Sequence, residues 1–201
     1  MEGKKYSAGI VQLPFWFLEF KKVMLLLNEG WILQEIKIKN KEENIFSAVS
    51  AERANRSFNT VSRRIQSLDP NYIELFPMLD ISNQKIVALI ALMNDDLLFF
   101  EFMYEVVREK LILGLDELEE IEFSIFFNRK QIQDEKVNNW TDLTLKKLAI
   151  AYKNALRNSG MVNKEDQDKL FINKPILDLR LEELIRNTKQ TAVLNILQGV
   201  R

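Results

Sequence analysis

The chain has 201 residues, with 28 Lys and Arg against 29 Asp and Glu, and it contains neither Cys nor His. That length supports a core without disulfide or metal staples, as one domain or two small ones. The two missing residue types exclude disulfide frameworks, zinc fingers, Cys-His proteases, Ser-His-Asp triads and histidine proton relays.

A catalyst would have to be built from carboxylates, Lys, Tyr, Ser and Thr, and a Mg²⁺-dependent nuclease is the common form of that. No Gly-rich phosphate loop occurs either, so a non-enzymatic protein without cofactor or metal is expected. At 47% hydrophobic and 28% charged, the composition is that of a folded globular chain. No Gly lies between Gly30 and Gly114, in a stretch rich in Leu, Ile, Glu and Lys, so an all-α class is expected. The start, MEGKKYSAGI, lacks the apolar region of a secretion signal. Apolar runs such as IVALIALM at 86–93 fall short of the roughly 18 residues that span a bilayer, and a cytoplasmic location is expected.

In chain order, Pro14 to Asn28 reads as a helix with Pro in its first turn, and a second helix follows from Trp31 to about Lys41. A third starts at a Ser50 cap and buries Ala54, Phe58, Val61, Ile65 and Leu68 at alternating steps of four and three. Two short helices reach Leu79. Ser82–Asn94 and Leu97–Leu113 are the apolar central helices, the latter with a polar stripe of Glu101, Glu105, Arg108 and Glu109. After Gly114 the segment LDELEEIEFSIFF predicts a helix whose inner face is Leu118, Ile121, Ile125 and Phe126. Thr141 caps the next helix, with Trp140 and Leu145 as a hydrophobic staple and Leu148, Ala149, Tyr152 and Leu156 inward. Asn158-Ser159-Gly160 ends it. Two short apolar runs between 161 and 172 predict a small β-hairpin, and the tail beyond Leu181 predicts one or two further helices. Helix, short helix, longer helix and hairpin is the order of a winged helix-turn-helix. Residues 94–122 hold ten acidic and two basic residues, a net of −8 that leaves +7 on the other 172. This shift places a domain boundary near Gly114, giving an N-terminal helical domain 1–114 and a winged-helix-like domain with its tail 115–201.

Two helices carry candidate binding faces. On the third, Arg53, Arg56, Arg63 and Arg64 fall within an arc of roughly 100° opposite Phe58 and Ile65, with Asn59 and Thr60 on or beside it. Such a face combines phosphate-pairing guanidinium groups with short side chains able to reach a base edge. A solvated amphipathic face is the alternative, although mixed charge signs would then be expected. On the helix from 142 to 158, Lys146, Lys147, Lys153, Asn154 and Arg157 lie away from the inner face, as on a helix placed at a major groove. In the wing, Lys164 and Lys169 are opposed by Glu165, Asp166 and Asp168. The aromatic runs Phe15-Trp16-Phe17, Phe20 and LLFFEFMYEVV are better suited to core than to base stacking. Asp95-Asp96 and the acidic residues 116–122 open predicted helices, where the dipole favours carboxylates without a metal.

The opening YSAGIVQLPFWFLEFKKV, the Arg-rich AERANRSFNTVSRRIQSLD, the central LLFFEFMYEVVREKLILG, the Phe126-Phe127 pair, WTDLTLKKLAIAYKNALRNSGMV and the closing KPILD, in this order over residues 6 to 180, resemble the BrxA family encoded with bacterial BREX phage-exclusion systems. The resemblance implies a mostly helical, non-enzymatic, DNA-binding protein of winged helix-turn-helix character. Its setting would be a defence system that includes a methyltransferase, an ATPase and a phosphatase-like protein. The Arg-rich helix matches the family segment at Arg53, Arg56, Arg63 and Arg64, and the later helix at Lys146 and Lys147. The family's older inner-membrane label conflicts with the missing transmembrane span. Double-stranded DNA is therefore the expected partner, bound mainly through phosphates with low sequence specificity, together with other components of the defence system. The alternatives are a protein scaffold of the defence complex and a NusB-like factor binding RNA.

Overall fold

The computed structural model describes residues 5–163 and 170–201, and it is mostly helical. A 3-10 turn at Gly9–Val11 precedes α1 (Phe17–Asn28), α2 (Leu33–Glu43) and α3 (Ala51–Gln66). The Ser50 Oγ accepts the Arg53 amide at 3.2 Å and caps α3, and Ala54, Phe58, Val61, Ile65 and Leu68 are all buried, as their spacing predicts. The short α4 (Asn71–Leu75) leads through a 3-10 turn into α5 (Ile81–Asp95). Seven consecutive residues of α5, Val87 to Met93, are at most 2% exposed, so it lies at the centre of the core.

The expected long helix 97–113 is α6 (Leu97–Phe102) and α7 (Arg108–Leu113) joined by a π-helical turn, Met103–Val107. Gly114 ends it in the left-handed conformation, φ 68°. Around it, Phe99, Phe102, Phe123, Phe126, Phe127 and Tyr152 form a ring cluster with centroids 4.9 to 5.5 Å apart. These aromatic residues are core.

The helix expected from Leu115 starts five residues later. Residues Glu117–Leu118 form strand β1, antiparallel to β2 (Leu170–Phe171), with Glu117 opposite Phe171 and Leu118 opposite Leu170. Only then does α8 (Glu120–Gln133) begin, followed by α9 (Glu135–Asn138) and α10 (Asp142–Ser159). Because Leu118 is on a strand, the helical phase is reset: Phe123, Phe126, Phe127 and Lys130 face inward, while Ile121 and Ile125 are 56% and 51% exposed. The two ends of the expected hairpin do meet, through a Val162–Ile172 bridge. The ladder itself, however, joins 170–171 to β1, so 170–172 lies between 116–118 and 161–163. Thr141 caps α10 through the Thr144 amide. The helices α11 (Leu179–Asn187) and α12 (Thr191–Gln198) close the chain, α12 against α7. One apolar cluster runs from Ile10 to Leu197 and draws on both sides of Gly114.

The predicted start of α1 at Pro14 is also corrected. The Leu13, Pro14 and Phe15 carbonyls accept from the Arg64 guanidinium at 2.7 to 3.2 Å. Trp16 takes a left-handed conformation with φ 46°. The left-handed Trp16 breaks the run of helical dihedrals, so the helix starts only at Phe17.

Candidate nucleic-acid interface

Arg53, Arg56, Asn59 and Arg63 are exposed along the outer side of α3. Arg56 is paired with Glu52 one turn earlier at 2.6 Å, a surface pair of the kind worth about 0.3–0.5 kcal/mol. Arg63 is held more firmly. Its Nε and Nη2 bond the two oxygens of Asp95 at 2.6 and 2.8 Å, and this hydrogen-bonded carboxylate raises its pKa further.

Arg64 does not belong to the exposed stripe in which its helical position places it. It is 2% exposed, and its two Nη groups are spent on the three carbonyls before Trp16, while its Nε stands 3.6 Å from Asp95. Burial lowers its pKa to about 10, against the pull of Asp95 3.6 Å away. Thr60 is also turned inward: it is 2% exposed and its hydroxyl donates to the Arg56 carbonyl at 3.0 Å. Nothing in the spacing separates Arg63 from Arg64. Their difference comes from the 13–15 segment that covers one flank of α3.

On α10, Lys146, Lys147 and Asn154 are exposed and Arg157 is half-buried. Lys153 lies over the Phe123 ring, 5.2 Å from its centroid, and pairs with Glu120, so it joins α10 to α8. The two basic helices are brought together by the turn at Gly9–Val11. Gly9 and Leu13 line a small cavity with Arg63 and Arg64, and the same two residues line a groove of about 370 Å³ with Thr144 and Lys147. The C-terminal end of α3 and the Thr144–Lys147 side of α10 thus flank the same turn. The wing residues Lys164, Lys169, Glu165, Asp166 and Asp168 lie outside the described residues.

Much of the acidic stretch is engaged in ion pairs with bases from within it and from elsewhere in the chain. Asp95 meets Arg63, Glu122 meets Lys110 at 2.8 Å, and Glu120 meets Lys153. Lys130, 4% exposed at its side chain, sits between Glu101 and Glu105 at 2.5 and 2.6 Å, and the Tyr6 hydroxyl donates to Glu101 at 2.7 Å. Sequence reasoning missed Lys130 because it continues the inner face of Phe123, Phe126 and Phe127, where a cation is unexpected. Asp96 caps α6 through the Phe99 amide at 3.0 Å. Among the described residues, no group of three or more Asp and Glu is placed to hold a metal ion.

A family model described as BrxA matches residues 4–189. The chain belongs to the BrxA family. A protein of Bacillus cereus (strain H3081.97) named "BREX protein BrxA" is 37% identical to it over 194 residues, 96% of each chain. The crystal structure of an uncharacterized protein from Magnetospirillum magneticum has the same fold, with a TM-score of 0.79 at 18% identity over 98% of this chain and 100% of that one. Among the described residues of this BrxA chain, no helix is long and apolar enough to cross a membrane.

Proposed function

We propose that this chain is a non-enzymatic component of a BREX phage-defence system that binds duplex DNA, mainly through phosphates and with low sequence specificity. The observation that carries the reading is the shared border of the two basic helices at Gly9 and Leu13, which lets α3 and α10 address one duplex. Arg53, Arg56 and Asn59 of α3 and Lys146, Lys147 and Asn154 of α10 are the contacts, because all six are exposed. Arg63 is a secondary contact, since phosphate has to compete with Asp95 for it. The succession β1, α8, α9, α10, 161–163 and 170–172 is consistent with a winged helix-turn-helix in which α10 enters the major groove. The BREX setting rests on the family and on the name of the Bacillus cereus relative.

Binding measured by fluorescence anisotropy on a labelled duplex tests the proposal. Affinity should fall steeply with salt, and the Arg53→Ala/Arg56→Ala and Lys146→Ala/Lys147→Ala pairs should each flatten the log–log slope by about 1 to 2 units. Unchanged binding in both pairs overturns the reading. Tighter binding to structured RNA than to duplex DNA at equal salt would point to the RNA-binding alternative instead. Capture of other defence components that survives nuclease treatment would point to the scaffold.

A further inference from the structure

Helix α8 is apolar on two opposite sides. Phe123, Phe126 and Phe127 face the core, while Ile121, Ile125 and Ile132 on the other side are 56%, 51% and 87% exposed. With the exposed Asn128, these isoleucines recur at i, i+4, i+7 and i+11, so the four side chains lie within about 60° of one another on the helix. That is the seam spacing of a two-helix coiled-coil contact, with β-branched residues at three positions and a polar Asn at the fourth. A stripe of this kind facing water is unfavourable unless it is covered.

We propose that the stripe is covered by α8 of a second copy of this chain, packed antiparallel about a two-fold axis. Charge decides both the partner and the direction. On one flank of the seam stand Glu122 and, seven residues on, Arg129. An antiparallel copy sets Glu122 of each helix beside Arg129 of the other, two ion pairs in all, whereas a parallel copy stacks the acidic first turns, Glu119, Glu120 and Glu122, on each other and makes neither pair. The helix dipoles also favour the antiparallel arrangement. Glu122 and Arg129 already have partners within the chain, Lys110 at 2.8 Å and Glu105 at 3.4 Å, and the intermolecular pairs extend these into networks. In this register Ile121 packs on Ile132 of the partner, Ile125 packs on Asn128, and the two Asn128 amides flank the axis. The contact is about 20 Å long, so the dimer is weak, with a dissociation constant on the order of tens of micromolar.

Sedimentation equilibrium of the full chain from about 1 µM to 1 mM, a range that brackets that constant, should show reversible dimerisation. Ile125→Glu with Ile132→Glu should weaken it at least tenfold without lowering the Tm, because both side chains are exposed, and Ile121→Glu provides the same test at the other end of the seam. The chain has no Cys, so Gln133→Cys gives a single spin-label site. The two labels should lie more than about 20 Å apart in the antiparallel dimer and about 10 Å apart in a parallel one. A chain that stays monomeric to 1 mM, leaving the stripe to a different protein, overturns the proposal. So does a dimer unaffected by the Glu variants, or a short label distance.

Discussion

Arg63 and Arg64 are neighbours in sequence with opposite roles. Arg63 is half exposed at the edge of the basic strip and bidentate on Asp95, and Arg63→Ala should cost about 1 kcal/mol of stability in urea denaturation. Arg64→Met should cost about 3–5 kcal/mol, because three backbone carbonyls lose their donor and Asp95 loses a neighbouring charge. Asp96 makes a pH prediction. Burial raises its pKa from 3.8 to about 6, against the Phe99 amide it caps. The folded chain therefore holds that proton more tightly than the unfolded chain does. The resulting stabilisation is full below about pH 4 and is lost as pH rises through 6. Asp96→Asn keeps the cap and removes the charge, so its Tm should match the parent's at pH 4 and exceed it above pH 6, by at most about 3 kcal/mol in stability. A constant Tm difference across that range would mean that Asp96 ionises normally.

The helices that packing leaves least choice were the ones legible from periodicity alone. The Ser50 cap and the buried face of α3 stand as expected, and Ser50→Ala should cost about 1 kcal/mol in thermal unfolding. α8 was misread for two reasons. Its apolar residues lie on both sides, so periodicity could not say which set is inside, and the strand before it pairs with residues about fifty positions later that no local window sees. The Phe set won the core because aromatic rings from α6 and α10 were there to receive it. The start of α1 failed in the same way, through a side chain fifty residues away. Of the candidate site, the exposed members Arg53, Arg56, Asn59, Lys146, Lys147 and Asn154 could be read from the helical wheel. The inward turn of Thr60 and Arg64 could not, because it depends on which segment covers the helix flank.

At the scale of the molecule, the charge balance is made by contacts as well as by composition: the −8 of residues 94–122 is partly offset by Arg63, Arg129, Lys130 and Lys153, which reach it from outside the stretch through ion pairs. The C-terminal helices are part of the same body. Gly199 has φ +59°, and a Cβ there would sit 2.5 Å from the Leu111 Cβ and 3.1 Å from its carbonyl carbon. Gly199→Ala should therefore loosen α12 from α7, destabilising by about 2 kcal/mol and speeding amide exchange in α12 ahead of α5. The clasp on residues 13–15 has a consequence for the order of assembly. The segment that α3 holds is made early on the ribosome, yet the turn just before it packs against α10, and the Tyr6 carbonyl accepts from Lys136 across 130 positions. Contacts of such long sequence separation are the slow ones to form, so the aromatic run at 15–17 should stay exposed longer than its place in the chain suggests.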